Sequence, residues 1–169
     1  MEKIYIDSNS RFYNQDYFTS NYFKKSDLII CADVFEHIYD YTDFLKKLLT
    51  DSRYFLFHIP LEISLLTLIR KDSFFRYNFS TIRHIHFYTK YTALLLLEYC
   101  VFKIIDNFFA KNRIEYFNKN KISFKRELDM FPQCFIDKLN EYLSCSIFSG
   151  YSLVFLCENL NFQVFQHQK

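Results

Sequence analysis

Hydrophobic and polar positions change rhythm several times along the chain, and each change marks an element. Leu28-Ile29-Ile30-Cys31-Ala32 is an unbroken apolar run with β-branched residues, which predicts a short strand covered on both faces. Asp33, Glu36, His37 and Asp40 then crowd the point where that strand ends. From Thr42 the spacing turns helical: Phe44, Leu45, Leu48 and Leu49 recur around Lys46 and Lys47, with Asp40 or Thr42 as the N-cap. Arg53–Pro60 predicts a second strand, ended by a proline that cannot donate to a sheet ladder. Leu61–Ile69 predicts a short helix closed by Arg70 and Lys71, and Tyr91–Tyr99 a strongly apolar helix that must be largely buried. Val101–Phe109 and Tyr151–Cys157 read as two further strands. Between them, Lys111–Lys125 is a charged, asparagine-rich connector, and Pro132–Tyr142 fits a helix with Phe135, Ile136, Leu139 and Leu143 on one stripe. Upstream, Lys3–Asp7 and Arg11–Phe18 are the remaining strand candidates, and Leu160–Lys169 reads as a mobile tail.

Strands alternating with helices make an α/β protein, and the length makes it one domain spanning residues 1–169. In open α/β sheets, ligands sit outside the carboxyl ends of the strands, so the acidic turn after Ala32 is placed for function. Glu36 and His37 are the catalytic candidates. A histidine titrates close to neutrality, so a base role is chemically available to His37, although positioning and loop orientation account for it more simply. His58, inside a strand, reads as a packed, hydrogen-bonded residue. His84 and His86 have the spacing that puts both imidazoles on one face of a strand. A metal site would need further Cys, His, Asp or Glu ligands, and no partner stands at a recognisable spacing, so no metal is expected.

Composition narrows the field. The chain has 22 Phe and 14 Tyr and half its residues are hydrophobic, which excludes a disordered protein. With 21 basic and 19 acidic residues the charge is too balanced for nucleic acid or an anionic membrane as the main partner. The five cysteines form no CxxC pair and are odd in number, pointing to reduced thiols and a cytoplasmic setting. MEKIYIDSN mixes acid and base without the apolar core of a signal peptide, and runs such as Ile63–Ile69 are too short to span a bilayer.

The segment DLIICADVFEHIYDYTDFLKKL resembles the class I S-adenosylmethionine (SAM) dependent methyltransferases, in which a strand runs into D-V-x-E-H-hydrophobic-x-D and then a helix. Two further blocks follow in that family's order. Tyr54–Pro60 matches its next core strand, ending in hydrophobic-Pro. His84-Ile85-His86-Phe87-Tyr88-Thr89, a helix and Val101–Ile105 match its H-x-x-F-(F/Y)-T, helix, G-F-x-hydrophobic block, except that Cys100 and Val101 stand where a helix-ending glycine is frequent. The resemblance implies a Rossmann-like sheet, mostly parallel, with the last two strands as an antiparallel pair at one edge. It implies SAM as cofactor, with Asp7, Asp16, Tyr17, Ala32 and Asp33 as binding residues. It implies Glu36 and His37 near the methyl group, and His84, His86 and Tyr88 toward the substrate, a small-molecule or sugar-like acceptor. Residues 111–148 become a helical insertion or cap between the last two strands.

One departure bears on all of this. The family's signature is a glycine-rich loop after its first strand, and the single glycine here is Gly150. The first strand is therefore missing or displaced, leaving inner sheet edges that a second copy, a companion chain or Lys3–Asp7 would have to cover. The competing expectation is a catalytically inactive or fragmentary methyltransferase-fold protein acting as an interaction module. A third, nucleic-acid binding through the aromatics and bases of residues 75–86, is opposed by the balanced charge.

Overall fold

The computed structural model describes residues 14, 16–19, 25–111 and 124–161, the side chains of 124–129 excepted. The expected strand Lys3–Asp7 with Asp7, most of Arg11–Phe18, most of the charged connector and most of the C-terminal tail lie outside the described residues.

Four strands form one open mixed sheet. Strands β1 (Ser26–Ala32) and β2 (Ser52–Leu61) are joined through a 3-10 turn (Phe35–His37) and helix α1 (Tyr41–Leu48). Helices α2 (Leu65–Arg70) and α3 (Asp72–Tyr77), a π-helical turn (Asn78–Ile82) and α4 (Lys90–Tyr99) lead to β3 (Phe102–Ala110). Helices α5 (Phe124–Leu139) and α6 (Glu141–Ile147) then lead to β4 (Tyr151–Asn159). The spatial order is β1-β2-β4-β3. Strands β1 and β2 are parallel, as their helical crossover requires, and β4 lies antiparallel between β2 and β3.

Register decides which residues form the core. Cys31 pairs with Phe57, Phe57 with Phe155 and Phe55 with Cys157, so these side chains share one face. That face is sealed by Phe35, by Leu45 and Leu48 of α1 and by Ala93 and Leu97 of α4, all essentially without solvent contact. Phe102 meets Phe55 and Phe57 edge to face at 5.1 Å each, and Phe35 meets Phe57 in the same way, also at 5.1 Å.

Local chemistry explains most boundaries. Asp40 is the N-cap of α1, its side chain accepting from the Asp43 amide at 2.9 Å. Ser64 with Thr67 and Thr89 with Thr92 build reciprocal capping boxes that start α2 and α4. Asn140 accepts from the Leu143 amide and starts α6.

Several expectations need correcting. The sheet is not mostly parallel: among the described residues one pair is parallel and two are antiparallel, because the strands expected to extend its parallel side are not among them. Strand β1 is not covered on both faces. Ile30 is 63% exposed and Leu28 43%, and β1 pairs only with β2 among the described residues. Residues 17 and 18 lie in a turn where the end of the strand Arg11–Phe18 was expected. The expected helix Pro132–Tyr142 is split by the Asn140 cap, and Pro132 lies inside α5. Helix α4 buries Ala93, Leu96 and Leu97, but Leu95 and Tyr99 face solvent, so its apolar run is only half used. No helix among the described residues is long and apolar enough to cross a membrane.

Candidate functional site

The site is assembled where β1 and β2 end. After Ala32 the chain turns through Asp33, held at φ 52, whose amide donates to the His58 carbonyl. The left-handed conformation is tolerable for an aspartate and swings the next residues across the sheet end. The 3-10 turn that follows presents its Glu36 carbonyl to two amides, Ile85 at 2.7 Å and His86 at 3.3 Å. Those bonds tie the D-V-F-E-H turn to the H-I-H-F-Y-T segment. On its other side that segment bridges to β2, where the amides of Glu62 and Ile63 donate to the Tyr88 carbonyl.

Within this frame Glu36, His37 and His84 converge, with one ligand-type atom from each lying within 4.8 Å of the others. Glu36 is fully buried, and neither of its carboxylate oxygens has a hydrogen-bond partner among the described residues. Burial pushes its titration up; its own backbone amide, near but outside hydrogen-bond geometry, pulls it down together with His37 and His84, and Asp33 adds to the rise. His37 Nε2 stands 4.0 Å from Glu36 Oε1, and the rings of His37 and His84 meet edge to face at 4.8 Å.

The outer hydrogen bonds assign the tautomers. His37 Nδ1 lies 3.2 Å from the Arg83 carbonyl, which can only accept, so Nδ1 carries a proton and, in the neutral ring, Nε2 the lone pair. His84 Nδ1 lies 2.9 Å from Glu62 Oε2; with Glu62 ionised it donates there, and in the neutral ring Nε2 is again the lone-pair nitrogen. Asn78 donates to the second oxygen of Glu62 at 3.0 Å, which fixes the carboxylate. Glu62 itself titrates high because it is buried, an effect opposed by the bond to His84. Arg83, at φ 65, delivers the carbonyl to His37 and aims the next residue into the cluster.

Beside the cluster opens a cleft of about 420 Å³, lined by Tyr41, His86, Tyr88, Thr92, Leu96 and Tyr99 among others. That volume suits a small ligand. His86 Nε2 donates to the Ile38 carbonyl at 2.9 Å, and its ring meets Tyr41 edge to face at 4.9 Å. The Tyr88 hydroxyl is buried without a hydrogen-bond partner; burial, then Tyr41 and then Glu36, push its titration upward.

The remaining expected site residues divide. Ala32 and Asp33 are exposed at the carboxyl end of β1, and Asp33 Oδ1 lies 2.9 Å from Nδ1 of His58, the packed histidine expected there. Asp16 is a turn residue whose Oδ1 accepts from the Phe18 and Thr19 amides at 2.9 and 3.1 Å. Tyr17 donates to Asp51 at 2.9 Å. Asp51 precedes β2 and accepts from the amide of Ser26, so Tyr17 sits at the amino end of the parallel pair. Seven residues of β1 separate the two ends, about 20 Å of strand, so Asp16 and Tyr17 are not brought to Asp33.

The expected strand at His84–His86 does not form, and the two imidazoles part company. His84 joins Glu36 and His37, while His86 turns to Ile38 and Tyr41. Sequence reasoning missed Glu62 and Asn78. Glu62 had a readable signal, since it directly follows β2 at the end where ligands collect; Asn78 had none.

No protein-family model matches this chain, and no curated protein matches its sequence.

Proposed function

We propose that the chain is a cytoplasmic SAM-dependent methyltransferase-type protein acting on a small-molecule or sugar-like acceptor held in the Tyr41–His86–Tyr88 cleft. The observation that carries this reading is the junction of the two resembling blocks. The D-V-F-E-H turn and the H-I-H-F-Y-T segment are far apart in sequence, yet they are hydrogen-bonded through the Glu36 carbonyl at the carboxyl ends of β1 and β2. The antiparallel β4, set between β2 and β3, supports it as the edge pair that the resemblance implies.

The residues at hand fit the cofactor in part. Ala32 and Asp33 are exposed at the ligand-binding end of β1 and would hold it, whereas Asp16 and Tyr17 stand at the opposite end. SAM, when bound, supplies a methyl group on a sulfonium. Transfer of that kind depends on alignment and on keeping water out, so the protein needs no catalytic triad. His37 Nε2, with its lone pair free, is the group able to take a proton from an acceptor hydroxyl. His86 and Tyr88 line the wall against which the acceptor would rest. Among the described residues the free edge of β1 is where a second copy or companion chain would complete the sheet.

Calorimetric titration with SAM and with S-adenosylhomocysteine tests the proposal. We expect micromolar binding, weakened at least tenfold in Asp33→Ala. A folded protein that binds neither molecule would overturn it in favour of an inactive interaction module built on the same architecture.

A further inference from the structure

We propose that Glu36, His37 and His84 form a binding site for one divalent transition-metal ion of the zinc class, with Glu62, Asn78 and the Arg83 carbonyl as its supporting shell. The inference stands apart from methyl transfer and needs no SAM; with the ion bound, the His37 Nε2 lone pair is taken up in coordination and no longer serves as a base.

Three independent features point to it. The first is the donor set: two imidazole nitrogens and a carboxylate oxygen, drawn from sequence positions that share no spacing pattern, all within 4.8 Å of one another. Three points so disposed lie within about 2.8 Å of a common centre, so a shift of roughly 0.7 Å per side chain reaches the ~2.0–2.2 Å of zinc–nitrogen and zinc–oxygen bonds.

The second feature is the state of the histidines. A ligating imidazole must offer one nitrogen as a lone pair and characteristically donates the other N–H to a carboxylate or backbone carbonyl. With Nδ1 of His84 on Glu62 and Nδ1 of His37 on the Arg83 carbonyl, the neutral rings present their Nε2 atoms as ligands. Glu62 is in turn fixed by Asn78. The carboxylate–histidine pairing is thus already built, two bonds deep.

The third feature is Glu36. Its side chain is 1% exposed, yet both oxygens lack a hydrogen-bond partner. A buried carboxylate without partners is costly to keep, and coordination to a cation removes that cost. Nitrogen donors favour zinc-like ions over magnesium or calcium, which prefer all-oxygen shells. His37 is the most exposed of the three, with 39% of its side chain accessible, so an ion can enter from its side. Three protein ligands leave at least one coordination position for water or for an oxygen of a bound molecule, whose proton the cation would make easier to lose.

The test uses the full chain, stripped with chelator, dialysed, and titrated with Zn²⁺ by calorimetry and with Co²⁺ by visible absorption. We expect one ion per chain, cobalt d–d bands typical of low coordination number, and a thermal midpoint that rises with free metal. Glu36→Gln, His84→Asn and His37→Asn should each weaken binding at least tenfold, and Glu62→Gln by about ten- to a hundredfold. His86→Asn, next to the cluster in sequence but turned away from it, should bind as the parent does. His37→Asn alters a partly exposed residue and keeps the test decisive if a buried variant fails to fold. Absence of stoichiometric binding, or binding lost equally in His86→Asn and unchanged in His37→Asn, would overturn the proposal.

Discussion

At the scale of single residues, positive backbone angles are informative because the chain can spend almost no glycine on them. Among the described residues Asp33, Lys71, Arg83 and Val101 all adopt φ above zero without being glycine. Two of these flank the site: Asp33 turns the chain off β1, and Arg83 sets the carbonyl that orients His37. Such strain is tolerated where surrounding structure holds a side chain for a purpose. Val101 is different. It is β-branched, lies at φ 68 where α4 hands over to β3, and no functional contact explains it. The resembling family frequently carries glycine at this junction, the residue such a position favours. Val101→Gly should therefore raise stability by about 0.5–1 kcal/mol, strain relief exceeding the added unfolded-state entropy. Chemical denaturation of the two proteins measures it, and a destabilised variant would mean that the Val101 side chain packs better than its 39% exposure suggests.

At the scale of elements, starts are written in side chains while ends and curvature are not. Asp40 anticipates α1 in the sequence and caps it in the structure, accepting from the Asp43 amide and the Thr42 hydroxyl. Those bonds hold the Asp40 carboxyl below the ordinary carboxylate range, the Asp43 amide contributing most. The sign follows directly: a group whose folded titration is depressed lends stability above its unfolded value and loses it as pH falls through the folded one. We expect Asp40→Asn, which keeps an acceptor for the Asp43 amide, to flatten that acid-side decline of the thermal midpoint. An unchanged decline would assign it to other carboxyls. Helix α4 shows the opposite limit. Its run of leucines reads as buried all round, yet Leu95 is 45% exposed, because only one stripe of a helix can face a single sheet.

At the scale of the whole molecule, one face of the sheet is finished, while the other buries Ser152 and Val154 of β4 but exposes residues of the flanking strands. Phe55, Phe57 and Phe155 lie under helices with no solvent contact, whereas Ile30 and Phe108 on the other face are 63% and 59% exposed. Energies should follow this asymmetry. Phe57→Ala removes a fully buried ring and should cost about 3–5 kcal/mol, while Ile30→Thr should stay within about 0.5 kcal/mol. Urea denaturation at two protein concentrations checks both. A loss at Ile30 above about 2 kcal/mol that shrinks on dilution would show that a second copy covers this face in solution. The exposure of Ile30 and Leu28 is why the expected two-sided burial of β1 fails: an apolar run fits a strand flanked by two layers, but layers are supplied by other segments.

The sequence by itself determined the class of the fold, the four strands and the start of α1, because periodicity and cap chemistry act over a few residues. It marked the acidic turn after β1 as the place to look and supplied Glu36, His37 and His84 as candidates, though not as a group. Spacing made His84 and His86 a pair, and the structure divided them. Only the tertiary structure decided that His84 meets Glu36 and His37, and that Glu62 and Asn78 stand behind it. That division depends on a backbone bond from Ile85 to Glu36 and on the left-handed turn at Arg83. Contacts between segments so far apart leave no period in the chain, since which atoms meet is set by how β1 and β2 end side by side.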